Sequence, residues 1–93
     1  MILNLGNNTA IPIESVIFIF NAQNVYNSKN NMSFLNSLTE RSNVVYIDKS
    51  KETKSIIYAV HNNTRYIYYS IINPTTLQKR GNNFAFSNLT EDI

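Results

Sequence analysis

The stretch "KSIIYAVHNNTRYIYYS", Lys54 to Ser70, constrains the fold more than any other part of this chain. Two runs of β-branched and aromatic residues flank His61-Asn62-Asn63, and asparagine tolerates the left-handed backbone that a tight turn demands. Lys54 to Val60 and Thr64 to Ser70 are therefore expected to be the two arms of a β-hairpin. In 93 residues such a hairpin has only a thin core to pack on, and without cysteine no disulfide or thiolate metal site reinforces it. Apolar residues nonetheless make up 43% of the chain, which excludes a disordered sequence. A thin core with many aromatics also favours self-association, since subunit contacts bury what one copy leaves exposed.

The other segments supply layers for the hairpin. Ile2 to Leu5 alternates apolar with polar and runs into Gly6-Asn7-Asn8, the pattern of a strand and a turn. Thr9 to Ile13 returns as its partner, with Pro12 suited to an edge or strand end. Val16 to Phe20, "VIFIF", is continuous and reads as a strand buried on both faces. Asn21 to Asn31 reads as a polar loop. Asn31 is then expected to cap a helix with Met32, Leu35 and Leu38 on one face, ending near Arg41-Ser42-Asn43. Val44 to Ile47 is a short strand, closed by the loop "DKSKE". Asn73 is expected to cap a last helix that has Pro74 at its first position and runs through Lys79. Residues 81–93 show no clear period and read as a flexible tail, with Phe84 and Phe86 as docking points for a neighbour. Sixteen asparagines occur, and the doublets Asn7-Asn8, Asn30-Asn31, Asn62-Asn63 and Asn82-Asn83 all read as turns. The expected fold class is α+β: a single domain, 1–93, with a small, mainly antiparallel sheet, one β-hairpin and two short helices, assembling into an oligomer.

Few residues offer chemistry. His61 is the sole imidazole and sits at the expected hairpin tip, where a solvated side chain is the ordinary outcome. There is no cysteine nucleophile, and two glycines, Gly6 and Gly81, cannot build a phosphate loop. Six carboxylates without clustering make no metal site or acid/base pair. No enzyme, cofactor, metal or small-molecule substrate is expected. The longest apolar run is too short to cross a bilayer, and "MILNLGNN" has no basic residue before its apolar stretch, so a cytoplasmic protein is expected.

Charge is more informative. Net charge is +2, yet Arg41 to Arg80 holds seven Lys or Arg against Asp48 and Glu52. Lys49, Lys51 and Lys54 fall in one loop, a placement that lays ammonium groups along a phosphate backbone and releases counterions. An ordinary solvated loop with balancing carboxylates explains the same pattern. Lys79 and Arg80 suit the negative end of a helix, and equally a phosphate or an acidic neighbour. Tyr66, Tyr68 and Tyr69 read either as a base-stacking platform or, more commonly, as packed strand residues.

Several ordered segments go beyond composition: "MILNLG", "IESVIFIF", "SFLNSLTE", "TKSIIYA", and above all Tyr69-Ser70 followed by Thr76-Leu77-Gln78-Lys79-Arg80. In that order the chain resembles the bacterial extracellular-matrix regulatory protein family (RemA/RemB-like), closer to the RemB-type members. The resemblance implies a small α/β subunit that forms homo-oligomeric rings, binds double-stranded DNA through repeated basic residues and regulates biofilm-matrix genes. Repetition suits that task, because a ring multiplies phosphate contacts that one subunit makes weakly. Candidate DNA contacts are Lys49, Lys51, Lys54, Lys79 and Arg80. Two places depart from the RemA-type pattern: Ser15 matches an arginine position, and Lys51-Glu52 matches an arginine pair. An oligomeric module that acts through a protein partner, without direct DNA binding, is the alternative expectation.

Overall fold

Two asparagine pairs set the tight turns of this chain. In the computed structural model, which describes residues 1–81, Asn7 and Asn8 have φ of 46° and 62°, and Asn62 and Asn63 of 51° and 63°. Consecutive left-handed residues make a turn whose twist matches that of paired strands, so each pair closes a hairpin. The doublet Asn30-Asn31 does not turn; it lies in the first turn of a helix. Phe84, Phe86 and all of the expected tail except Gly81 lie outside the described residues, and Gly81 itself ends a helix.

The elements run β1 (Ile2–Gly6), β2 (Thr9–Pro12), β3 (Val16–Asn21), α1 (Ala22–Tyr26), α2 (Lys29–Thr39), β4 (Asn43–Tyr46), β5 (Ser55–His61), β6 (Thr64–Ser70) and α3 (Pro74–Gly81). β1 and β2 form a two-stranded antiparallel sheet, and the other four strands a mixed sheet in the order β3-β5-β6-β4. β3–β5 and β5–β6 are antiparallel, whereas β4 returns parallel to β6 after the helical crossover. The chain is a small α+β domain.

β5 lies inside the sheet, and strand alternation sends its side chains into two cores. Ile57 and Ala59 join Leu3, Leu5, Ile11, Ile13, Ile19 and Leu77 on the face covered by the β1–β2 hairpin and α3. Ile56 and Tyr58 join Ala22, Val25, Leu35 and Ile67 on the face covered by α1 and α2. The molecule thus has three layers, with the sheet in the middle.

The structure corrects three further local expectations. "VIFIF" is an outer strand rather than one buried on both faces: Ile19 is fully buried, but Ile17, at a register break between Val16 and Phe18, is 41% exposed. An apolar run by itself does not distinguish a central from an edge strand, and here "SIIYAV" of β5 takes the central place. The segment after β3 is not a loop, because the Asn21 side chain accepts from the backbone N–H of Gln23 and Asn24 and starts α1. Ser28, not Asn31, caps α2, its Oγ accepting from the Asn31 N–H at 3.2 Å. The start of α3 is as expected: Pro74 takes its first position, and the carbonyl of Asn73 just before it accepts from the Leu77 N–H at 3.0 Å.

Two buried serines fasten the layers together. Ser70 Oγ donates to the Leu5 carbonyl at 2.7 Å and accepts from the Ile72 N–H at 3.0 Å. Ser55 Oγ donates to the Ile72 carbonyl. The strand that ends at Ser70 is therefore stitched to β1 and to the bend leading into α3. Among the described residues no buried side-chain nitrogen or oxygen lacks a partner, and no helix is long and apolar enough to cross a membrane.

Candidate nucleic-acid interface

The segment from Asp48 to Lys54 follows β4 at the end of the sheet where β6 finishes and β5 begins. A short acidic side chain shapes it. Asp48 Oδ1 accepts from the Ser50 N–H at 3.0 Å and the Ser50 hydroxyl at 2.6 Å, and the Lys51 N–H reaches the Asp48 carbonyl at 3.3 Å. These hydrogen bonds from Ser50, aided by Asn7 and by the charge of Lys51, hold the Asp48 carboxyl below the usual carboxylate range. The loop is also anchored at its far end. The Lys54 N–H donates to the Ser70 carbonyl at 2.8 Å, and the Lys54 carbonyl accepts from the Ala22 N–H at 3.1 Å. Asn7 Nδ2 adds a bond to the Ile47 carbonyl at 3.1 Å. The backbone is pinned while the side chains of Lys49, Lys51 and Lys54 stay exposed. Glu52 is exposed among them.

Aromatic residues border this loop. The Lys49 ammonium stands 5.6 Å from the centre of the Tyr46 ring, a cation–π arrangement that limits the space it samples. Tyr46, half exposed, stacks on Tyr69 with ring centres 4.7 Å apart and planes 13° from parallel. Tyr26 of α1 is also half exposed and stands beside Thr53 of the loop. Burial pushes the Tyr69 hydroxyl up to about 12, with Tyr46 and then Tyr26 adding to the shift. Burial also raises Tyr26, with Tyr46 adding and the Thr53 hydroxyl opposing. Both phenols therefore stay protonated through the physiological range and can donate.

The expected site residues do not form one cluster. Lys49, Lys51 and Lys54 share the loop, whereas Lys79 and Arg80 end α3, which packs with β1 on the other side of the sheet from α1 and α2. Lys79 is exposed. The Arg80 guanidinium donates to the Asn4 carbonyl at 3.1 Å, tying the last turn of α3 to β1. The tyrosines of β6 do not form one platform either. Tyr66 stacks on Tyr68 at 5.7 Å, and Tyr68 packs against the Leu3–Leu77 core, while Tyr69 faces the helices. Strand alternation requires that split. Ser15 is buried, its Oγ donating to the Pro12 carbonyl at 2.6 Å, so it closes a turn instead of facing solvent.

Sequence reasoning missed Tyr26 and Tyr46 as neighbours of the lysines. Tyr46 lies two residues before the loop and offered a signal; Tyr26 lay in a segment read as a polar loop. It also gave no role to Arg41 and Arg65, which line a separate cleft at the other end of the sheet. His61 is exposed at the end of β5, opposite Thr64. No group of three His, Asp or Glu side chains converges among the described residues.

The comparisons with known proteins add no relative. No family model, curated protein or solved structure matches this chain.

Proposed function

We propose that this chain is a cytoplasmic, DNA-associated regulator of extracellular-matrix genes that works as a homo-oligomeric ring. One observation carries the reading: three exposed lysines stand on a loop whose backbone is fixed at both ends, at one end of the sheet. A pinned cationic loop loses little conformational entropy on meeting a phosphate backbone, and a ring presents it many times over. The loop carries no set of Arg, Asn or Gln side chains for reading base edges, so contact is with phosphates and preference follows duplex shape. Lys79 adds a peripheral contact. Arg80, already bonded to Asn4, acts first on structure.

The assembly half of the proposal rests on β3. Its outer edge pairs with no further strand among the described residues, and Ile17, Phe18 and Phe20 carry no charge to discourage pairing. Phe18 and Phe20 stack at 5.6 Å, and the half-exposed Phe34 meets Phe20 edge-on at 6.2 Å. This uncharged edge, with Glu52 in the loop and Ser15 buried, also favours the second reading, an oligomeric module that acts on a protein partner. Reversing Lys49, Lys51 and Lys54 to Glu separates the two. Loss of duplex binding with unchanged elution on size exclusion supports the DNA reading. Unchanged affinity overturns the assignment of the loop.

A further inference from the structure

At the end of the sheet away from the lysine loop, the C-terminal end of α2 and the β5–β6 turn border an open cleft of about 600 Å³. Its cations are Arg41 and Arg65, and its polar lining includes Glu40, Asn43 and Asn63. The same two arginines and Glu40 also line an adjoining cavity of about 250 Å³ beside Ser37 and Leu38. Both arginines stand on fixed backbone. The Arg41 N–H donates to the Leu38 carbonyl at 3.2 Å, closing the last turn of the helix. Arg65 is paired in register with Val60 within the hairpin.

We propose that this cleft is an oxyanion site that binds a phosphate group. Neither guanidinium is committed to a hydrogen bond or ion pair with another described residue, and both are exposed. Two guanidiniums from different elements lining one cleft repel each other, and a bound dianion reverses that term while accepting forked hydrogen bonds from each. The side-chain amides of Asn43 and Asn63 supply further donors, whereas the Ser42 hydroxyl is already bonded to the Leu38 carbonyl at 2.7 Å. Glu40 also lines the cleft, and its carboxylate offsets one of the two positive charges, so a ligand that turns a hydroxyl or amine donor towards it, as a sugar phosphate does, fits better than phosphate alone. Among the described residues no aromatic ring lines the cleft, so none of them stacks on a base there. The site stands on residues distinct from the lysine loop and does not depend on the DNA reading.

The test is titration of the ¹⁵N-labelled protein with inorganic phosphate, ribose 5-phosphate and a short duplex, following backbone amide shifts. Phosphate and ribose 5-phosphate are expected to move the amides of Arg41 to Asn43 and Asn63 to Arg65 saturably. The double variant Arg41→Gln/Arg65→Gln is expected to weaken that binding at least about tenfold, since each charge-assisted bond is worth about that factor. The variant with Lys49, Lys51 and Lys54 changed to Glu should retain it. If the duplex moves the same amides and competes with phosphate, the phosphate source is nucleic acid; if only the small phosphates do so, it is a phosphomonoester. Amides that stay still in the wild type, or shifts that persist in the double variant, overturn the site.

Discussion

Ser70 shows how much a single hydroxyl carries here. Fully buried, it donates to the Leu5 carbonyl and accepts from the Ile72 N–H, so β1, β6 and the approach to α3 meet at one atom. Ser70→Ala leaves a buried carbonyl and N–H without partners and should cost about 1–3 kcal/mol, read as a lower urea midpoint with unchanged slope. The sequence placed Ser70 at a strand end but gave no sign of a partner 65 residues away. Tyr69 carries a pH signature. Its folded value, near 12 against 10.0 for the free phenol, means that the folded state holds the proton more tightly. That contribution is complete below the unfolded value and is lost as pH rises through the folded one. Wild type should therefore lose urea resistance between about pH 10 and 12 more steeply than Tyr69→Phe, which has no proton to lose there. Equal slopes would remove Tyr69 from the alkaline transition.

Among the elements, the hairpin and both turns were legible because asparagine doublets and β-branched runs act locally. Less was legible where one pattern serves two structures. "VIFIF" and "SIIYAV" look alike as apolar runs, yet the first became an edge and the second the centre, a choice made by the layers that cover them. α1 went unread because five residues capped by Asn21 carry too few apolar positions to show a period. Ser28 prevailed over Asn31 as the α2 cap because its hydroxyl reaches the N–H three residues on. Ser28→Ala should cost about 1 kcal/mol. α3 is held chiefly by Leu77, which is fully buried among Leu3, Leu5 and Ile19. Leu77→Ala should lower stability by about 2–5 kcal/mol, whereas Arg80→Gln, which removes one exposed hydrogen bond, should cost far less in the same urea series.

For the whole molecule, the three-layer arrangement sets two groups of exposed cations at opposite ends of the sheet: Lys49, Lys51 and Lys54 on the β4–β5 loop, and Arg41, after α2, with Arg65 beside the β5–β6 turn. The sequence revealed the lysine loop through its spacing. It could not reveal the arginine cleft, because Arg41 and Arg65 are 24 positions apart and meet only through the parallel return of β4 beside β6. Between those ends, the uncharged edge of β3 is the surface through which copies are proposed to join. The ring reading and the loop reading make one joint demand: binding to duplex DNA must be electrostatic, multivalent and indifferent to most base changes. The measurement that meets it most directly is fluorescence anisotropy of a labelled AT-rich duplex, titrated with wild-type protein at several salt concentrations. The account predicts saturable binding whose log affinity falls linearly with log salt, at about −0.9 per phosphate contacted. Flat anisotropy at low salt, from protein shown to be folded and oligomeric, would contradict it.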